Sequence, residues 1–168
     1  MASSSDGLRD EIVTLLPRLR RFARALAGQP ADADDLVQLV VERALMRLDQ
    51  YKTGTRLDAW LFAMMRNAWI DEVRSRGRRG KVFVPEEDGV HVGADGARAM
   101  DARLEAMDVH QAMQRLPEEQ RSAIALVCIE GLAYREAAEA LGVPMGTLTS
   151  RLARGREALD RLLSGGVS

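Results

Sequence analysis

Apolar side chains in this sequence return at intervals of three and four residues, and that spacing constrains its architecture more than any other feature. Between Leu8 and Ala27 they stand at Ile12, Leu15, Leu16, Leu19, Phe22, Ala23 and Leu26, with arginines on the remaining face. This is the pattern of an amphipathic helix with one buried stripe. Gly28-Gln29-Pro30 ends it. Asp32 is placed to cap a second helix, with Asp35 three positions on; carboxylates in a first turn suit the helix dipole, and the pattern runs to about Asp49. Tyr51-Lys52-Thr53-Gly54-Thr55 interrupts the spacing. A third helix beginning near Arg56 or Leu57 carries Trp60, Leu61, Met64, Ala68, Trp69 and Val73 as far as Gly77. Three helices with short connections make one bundle.

From Arg78 to about Ala99 the periodicity dissolves among acidic residues and the breakers Pro85, Gly89, Gly93 and Gly96. Val82-Phe83-Val84 is too short to make a sheet. Helical spacing returns from Asp101 at Leu104, Met107, Val109 and Met113. A further helix is expected over Glu118 to Glu130, with Pro117 in its first turn and Gly131 as its left-handed terminus. The fold expected is therefore all-α, with two small helical domains at 1–77 and 100–168 joined by a flexible linker at 78–99. A content of 46% hydrophobic but only 4% aromatic residues agrees with packed helices rather than sheets.

Composition also excludes function classes. No apolar run approaches the roughly 20 residues that span a bilayer, and the Ser-rich start lacks a basic segment followed by an apolar core. The expected location is the cytoplasm, without membrane insertion. Cys128 is the one cysteine and lies in an apolar run, where packing is expected; with only His91 and His110 beside it, soft metal ligands are too few for a zinc site. No nucleophile, base and orienting group converge, so no catalytic residue, cofactor or metal is expected.

The net charge of −1 does not advertise a nucleic-acid binder, but its distribution says more. Arginines cluster at Arg74, Arg76, Arg78 and Arg79 with Lys81, and again at Arg151, Arg154, Arg156 and Arg161. Such groups either meet phosphates or line a solvated helix face. The second cluster belongs to the most informative stretch, Leu132 to Leu163. A short helix at Ala133 to Leu141, the tight turn Gly142-Val143 and a second helix opened by Pro144 have helix-turn-helix spacing. On the second helix Leu148, Leu152, Gly155, Leu159 and Leu162 share one stripe, where Gly155 would let the two helices approach closely. Thr147, Ser150, Arg154, Glu157 and Arg161 face the other way. Short hydroxyls and arginines on such a helix suit a major groove, because they reach base edges and phosphates without steric conflict.

With these motifs in place, the chain resembles the extracytoplasmic-function sigma factors of bacterial RNA polymerase. Ala33-Asp34-Asp35-Leu36-Val37-Gln38 is similar to the core-binding region of that family. Thr55-Arg56-Leu57-Asp58-Ala59-Trp60-Leu61, Arg66-Asn67 and Ile70-Asp71 with Arg74 resemble its promoter-melting helix. Leu116-Pro117-Glu118-Glu119-Gln120-Arg121, Glu130 through Ala138, Leu141 through Thr147 and Ser150-Arg151-Leu152 resemble its promoter-reading domain.

The resemblance implies a monomer that borrows its chemistry from core polymerase, touching the largest-subunit clamp and the flap, and binds promoter DNA. It implies clamp contact through Asp35, Gln38, Leu39, Glu42 and Met46, although Leu39 stands where the family usually has an acidic residue. The helical wheel sets Leu39 and Met46 apart from Val37, Val41, Leu45 and Leu48; that side is either a partner surface or a second core contact. Minus-ten DNA would meet Tyr51, Lys52, Thr53, Arg56, Arg66, Asn67 and Arg74, with the loop Gln50 to Arg56 capturing a flipped base. Trp60 and Trp69 are assigned to the core. Minus-thirty-five DNA would meet Thr147, Thr149, Ser150, Arg151 and Arg154, Thr149 replacing a frequent basic residue. The linker, with Glu86, Glu87, Asp88 and Asp95, either enters the polymerase cleft or is a plain tether. The family further implies control by an anti-sigma factor in a stress or envelope response.

Two rivals remain: an interaction module that binds an anti-sigma factor without touching DNA, and a helix-turn-helix repressor whose first bundle dimerises. Arg151, Arg154 and the Asn67 region argue against the first, and gel filtration with and without core polymerase separates the second, since a repressor should dimerise and ignore the polymerase.

Overall fold

The computed structural model describes residues 2–79, 105 and 108–165. Among these residues the elements are helical: α1 (Ala2–Ala27), α2 (Pro30–Met46), a 3-10 turn at Leu48–Gln50, α3 (Leu57–Arg78), α4 (residues 108–114), α5 (Glu118–Ile124), α6 (Tyr134–Leu141) and α7 (Met145–Ser164). Of the expected linker only Arg78 and Arg79 are described, at the end of α3. Val82-Phe83-Val84, His91 and the acidic residues Glu86, Glu87, Asp88 and Asp95 lie outside the described residues.

The first three helices bury the stripes that their spacing demands. Ile12, Leu19, Phe22, Ala23 and Leu26 of α1 are buried with Leu36, Val37 and Val40 of α2 and Leu61, Phe62 and Met65 of α3. Phe22 meets Phe62 edge to face at 5.0 Å between ring centroids, the arrangement that ring quadrupoles favour. Helix α2 starts at Pro30, two residues before the Asp32 cap read from the sequence. Proline at the first helical position gives up an N–H that has no partner there anyway. Asp32 is thereby free to accept from Arg76 of α3 at 2.7 and 3.0 Å, and the Arg76 guanidinium lies 5.5 Å from the Trp69 ring. Helix α2 also stops at Met46 rather than Asp49, and Leu45, expected on the inner stripe, is 40% exposed in that last turn.

In the second unit α5 is shorter than the segment read from the sequence. It continues as a π-turn over Ala125–Ile129, which Glu130 N–H closes on the Ala125 carbonyl at 2.9 Å. Gly131 follows with φ +72°, the left-handed terminus expected of it. The wide turn carries Cys128 and Ile129 to the surface, correcting the expectation that Cys128 is packed. The Arg156 guanidinium donates to its Sγ at 3.5 Å.

Gly155 is buried as the stripe requires, but its neighbour is different. A Cβ there would stand 2.6 Å from Ile124 Cδ1 and 3.3 Å from Gln120 Cβ, so the close approach joins α7 to α5 rather than to α6. The two bundles, moreover, share one continuous apolar cluster from Ile12 to Leu152. Helix α1 packs on α5 and the π-turn, and α3 packs on α6.

Candidate functional site

Three outward surfaces hold the residues singled out above. The first is a strip on α2. Asp35, Gln38, Leu39, Glu42 and Met46 are all exposed, Leu39 by 37% and Met46 by 82%. Asp35, Gln38, Glu42 and Met46 follow at spacings of three and four, and Leu39 lies three before Glu42, so they run along one side of the helix; Gln38 Nε2 reaches Glu42 Oε1 at 3.5 Å. Of the two sequence readings, this exposure removes the second core contact. Uncovered apolar groups set among carboxylates are the composition of a protein interface.

The second surface combines the loop before α3 with α3 itself. Gly54 has φ +94°, a conformation that side chains with a Cβ rarely adopt, and it folds the loop back on itself. Thr55 Oγ1 donates to the Lys52 carbonyl at 2.7 Å, and the Tyr51 hydroxyl donates to the Thr55 carbonyl. The Tyr51 ring lies 5.3 Å from that of Trp60. Tyr51, expected to meet a base, is thus occupied in holding the loop, while Lys52 and Thr53 at its tip are exposed. Asn67 and Arg74, seven residues apart and so on one face of α3, are exposed as well. Trp69 is buried and Trp60 packs against the core, as assigned.

Arg56 and Arg66 do not join that open face. Arg56 donates to Asp58 at 2.6 and 3.0 Å and pairs with Glu136 of α6; Arg66 reaches Glu118 of α5 at 3.4 Å. Asp58 also accepts from Arg18 at 2.9 Å and from the Ala59 N–H at 2.8 Å. Burial alone would raise the Asp58 pKa, but the bonds from Arg56 and Arg18 outweigh it and hold the carboxyl below its ordinary range. Glu136 is likewise held low, chiefly by Arg56, and it also accepts from the Ala133 N–H at 3.1 Å, serving as half of a capping box for α6. The Arg56 guanidinium is correspondingly more basic than usual, through its bonds to Glu136 and Asp58.

The third surface is the outer face of α7. Gly142 takes φ +66°, and the Val143 N–H bonds the Ala138 carbonyl at 3.0 Å, closing α6 and turning the chain into α7. Leu148 and Leu152 are fully buried and fix the rotation of α7. That rotation leaves Thr149, Ser150 and Arg154 exposed and Thr147 half-buried. Thr149 Oγ1 donates to the Met145 carbonyl at 2.9 Å, so its proton is spent within the helix and its lone pairs face outward. Arg151 is the exception: its side chain is only 19% exposed, 4.0 Å from Glu119, and its Nη1 is buried with no hydrogen-bond partner among the described residues.

Sequence reasoning missed the contacts between the units. The Glu130 side chain, wholly buried, accepts from Arg21 Nε and Nη2 at 2.8 Å each and from Arg18 Nε at 3.3 Å, while Arg18 Nη2 bonds the Glu130 carbonyl at 3.0 Å. At the end of α1, Gln114 Nε2 donates to the Ala25 carbonyl at 2.9 Å, and a His110 ring nitrogen lies 3.2 Å from the Gly28 carbonyl. Two carbonyls with no further helical N–H ahead of them are thereby partnered from α4.

Family models match the chain in two places: Sigma-70 region 2 over residues 12–79, and Sigma-70, region 4 over residues 106–159. The ECF RNA polymerase sigma factor EcfG of Rhodopseudomonas palustris is 38% identical over 160 residues, spanning 95% of this chain and 86% of that protein. Among solved structures, the sigma factor RpoE in complex with the anti-sigma factor NepR from Bartonella quintana shares 34% identity and a TM-score of 0.82, covering 94% of this chain and 97% of that one. CnrH in complex with the cytosolic domain of CnrY shares 27% identity and a TM-score of 0.69, covering 98% and 94% respectively.

Proposed function

From the premise that this chain belongs to the ECF sigma factors of RNA polymerase, we propose how its surfaces divide the work of promoter-specific transcription initiation. The first unit, residues 1–77, docks on the clamp of the polymerase largest subunit through Asp35, Gln38, Leu39, Glu42 and Met46. It then meets minus-ten DNA with Lys52, Thr53, Asn67 and Arg74, while Tyr51 positions the capture loop. Arg56 and Arg66 join once released from Glu136 and Glu118. The second unit, residues 100–168, lays α7 in the major groove of the minus-thirty-five element and contacts the polymerase flap.

Opening a duplex costs a few kcal/mol per unstacked base, and stacking or edge hydrogen bonds in a formed pocket return about 1–3 kcal/mol per base. A loop already closed by Tyr51, Thr55 and Gly54 spends little of that return on its own ordering. On α7, Ser150, Thr149 and Arg154 supply acceptors and a guanidinium at groove depth, and Arg151 moves from its place near Glu119 to a phosphate. The chain acts as a specificity subunit with no chemistry of its own, in the cytoplasm where the polymerase works. An anti-sigma factor controls it, as the NepR-bound relative that shares its whole-chain arrangement suggests, in a stress or envelope response.

The observation that carries this reading is the rotation of α7: Leu148, Leu152 and Gly155 are locked inward and Thr149, Ser150 and Arg154 are left bare. Runoff transcription with purified core polymerase on a promoter library tests it. Transcripts should start downstream of a shared two-part motif, and substitutions in α7 should change the upstream part alone. Unchanged start sites on adding the chain would refute the proposal.

A further inference from the structure

Four guanidinium groups of the first unit, on Arg18, Arg21, Arg56 and Arg66, face four carboxylates at the contact between the units. Three of these, Glu118, Glu130 and Glu136, come from the second unit, and Asp58 comes from the first. The set is electrically balanced, and its centre is dry: the Glu130 side chain is wholly buried and that of Asp58 is 8% exposed. Two of the four arginines, Arg56 and Arg66, are residues assigned above to the promoter strand. A carboxylate and a phosphate make the same demand on a guanidinium, a pair of anionic oxygens in its donor plane. Glu136 and Glu118 therefore stand where phosphates of an opened strand would have to go.

The surfaces left uncovered are as informative as those consumed. The α2 strip of Asp35, Gln38, Leu39, Glu42 and Met46 is exposed while the units are in contact. Promoter elements about 25 base pairs apart lie about 85 Å apart at about 3.4 Å per pair, whereas α7 from end to end measures only about 30 Å. Units in contact cannot serve both elements. The 25 residues from Gly80 to Leu104 have an extended limit of about 80–90 Å, long enough to allow the separation.

We infer that the chain is self-inhibited: Glu118 and Glu136 of the second unit act as an internal anionic competitor for the arginines that the promoter strand needs, while Glu130, bound by Arg18 and Arg21, anchors the contact. Docking on the polymerase is available to the closed form, and reading the promoter is not. Separation of the units exchanges carboxylates for phosphates at Arg56 and Arg66, and it uncovers the carbonyls of Ala25 and Gly28 that Gln114 and His110 now cover. The inference rests on the minus-ten assignment of Arg56 and Arg66.

The test uses the full chain with Glu118→Gln and Glu136→Gln, neither of which is placed at the DNA or polymerase surfaces. Glutamine at 136 keeps an oxygen for the Ala133 N–H, so α6 retains its cap. A short fluorescent single strand carrying the minus-ten sequence should bind the double variant about tenfold tighter than the unaltered chain at equal salt, as expected when a competing closed state is depopulated. Equal affinities would overturn the inference. X-ray scattering from the unaltered chain supplies a second measurement that needs no variant. Its radius of gyration should stay near about 15 Å at low salt, the size of one compact 168-residue body, and grow as salt screens the pairs. An extended chain already at low salt would equally overturn it. Failure of the sigma reading shows elsewhere, as absence of redirected transcripts with core polymerase, and leaves the scattering result standing.

Discussion

Replacing Gly155 by alanine isolates one contact and gives a signed number. Intrinsic helix propensity favours alanine by about 1 kcal/mol in a helix interior, so a Gly155→Ala chain would be the more stable one if nothing touched the new methyl. The structure places Ile124 Cδ1 2.6 Å, Ile124 Cγ1 3.2 Å and Gln120 Cβ 3.3 Å from that methyl, so the Ile124 side chain, 4% exposed, must shift within a packed core. Overpacking of this kind costs about 1–3 kcal/mol. The balance is a loss of about 1 kcal/mol, or about 2–4 °C in melting temperature for a chain of this size. Ile124→Val removes the offending Cδ1. Alone it should cost about 0.5–1.5 kcal/mol, but in the Gly155→Ala background it should cost nothing or restore stability. Urea unfolding followed by circular dichroism on the four chains of the cycle measures the coupling. A Gly155→Ala chain about 1 kcal/mol more stable than the parent, with additive effects, would refute the close approach of α7 to α5 and the rotation of α7 that depends on it.

Three further perturbations separate the surfaces. Met46→Ala, at a side chain 82% exposed, should leave folding stability within about 0.5 kcal/mol while weakening capture by immobilised core polymerase; unchanged capture would remove Met46 from the docking strip. Asn67→Ala should slow open-complex formation, read by permanganate footprinting, more than it lowers polymerase affinity in a competition assay, and equal losses would count against a strand contact. Asp58 has its pKa lowered from the ordinary value of 3.8 by Arg56 and Arg18 against the opposing effect of burial. The stability it contributes is therefore complete above that value and is lost as pH falls through the lower native one. Asp58→Asn should be less stable near neutrality and show a shallower acid limb in thermal melts, and an acid limb parallel to the parent's would contradict this.

What the sequence made legible was set by short-range geometry. Periodicity located the helices, Gly131 and Gly142 marked two turns that take positive φ, and the stripe of Leu148, Leu152 and Gly155 oriented α7 correctly. Errors came where a local rule had a competitor. Pro30 opened α2 ahead of the Asp32 cap because proline suits the first position. An apolar run reads as core, yet the π-turn at Ala125–Ile129 adds a residue to the turn and carries Cys128 outward. Spacing also gives no sign that Tyr51, read as a base contact, sets its ring against Trp60 and its hydroxyl on the Thr55 carbonyl.

The inter-unit arginines posed a different problem, since Arg18 and Glu130 are 112 positions apart and no spacing rule connects them. A local signal nevertheless existed. Arg18 and Arg21 are three residues apart, and like charges at that spacing share a helix face and repel. Placing them simply on the remaining face of the helix leaves open what offsets that repulsion. Neither arginine is deeply buried, with side chains 28% and 51% exposed, yet both turn toward a single glutamate that is wholly enclosed. A buried carboxylate without such partners would cost several kcal/mol, so the repelling pair and the enclosed anion each require the other. Two cations set side by side on an otherwise well-formed amphipathic helix therefore point to an anion supplied from elsewhere in the fold, and here that anion lies on the unit that must let go before DNA can be read.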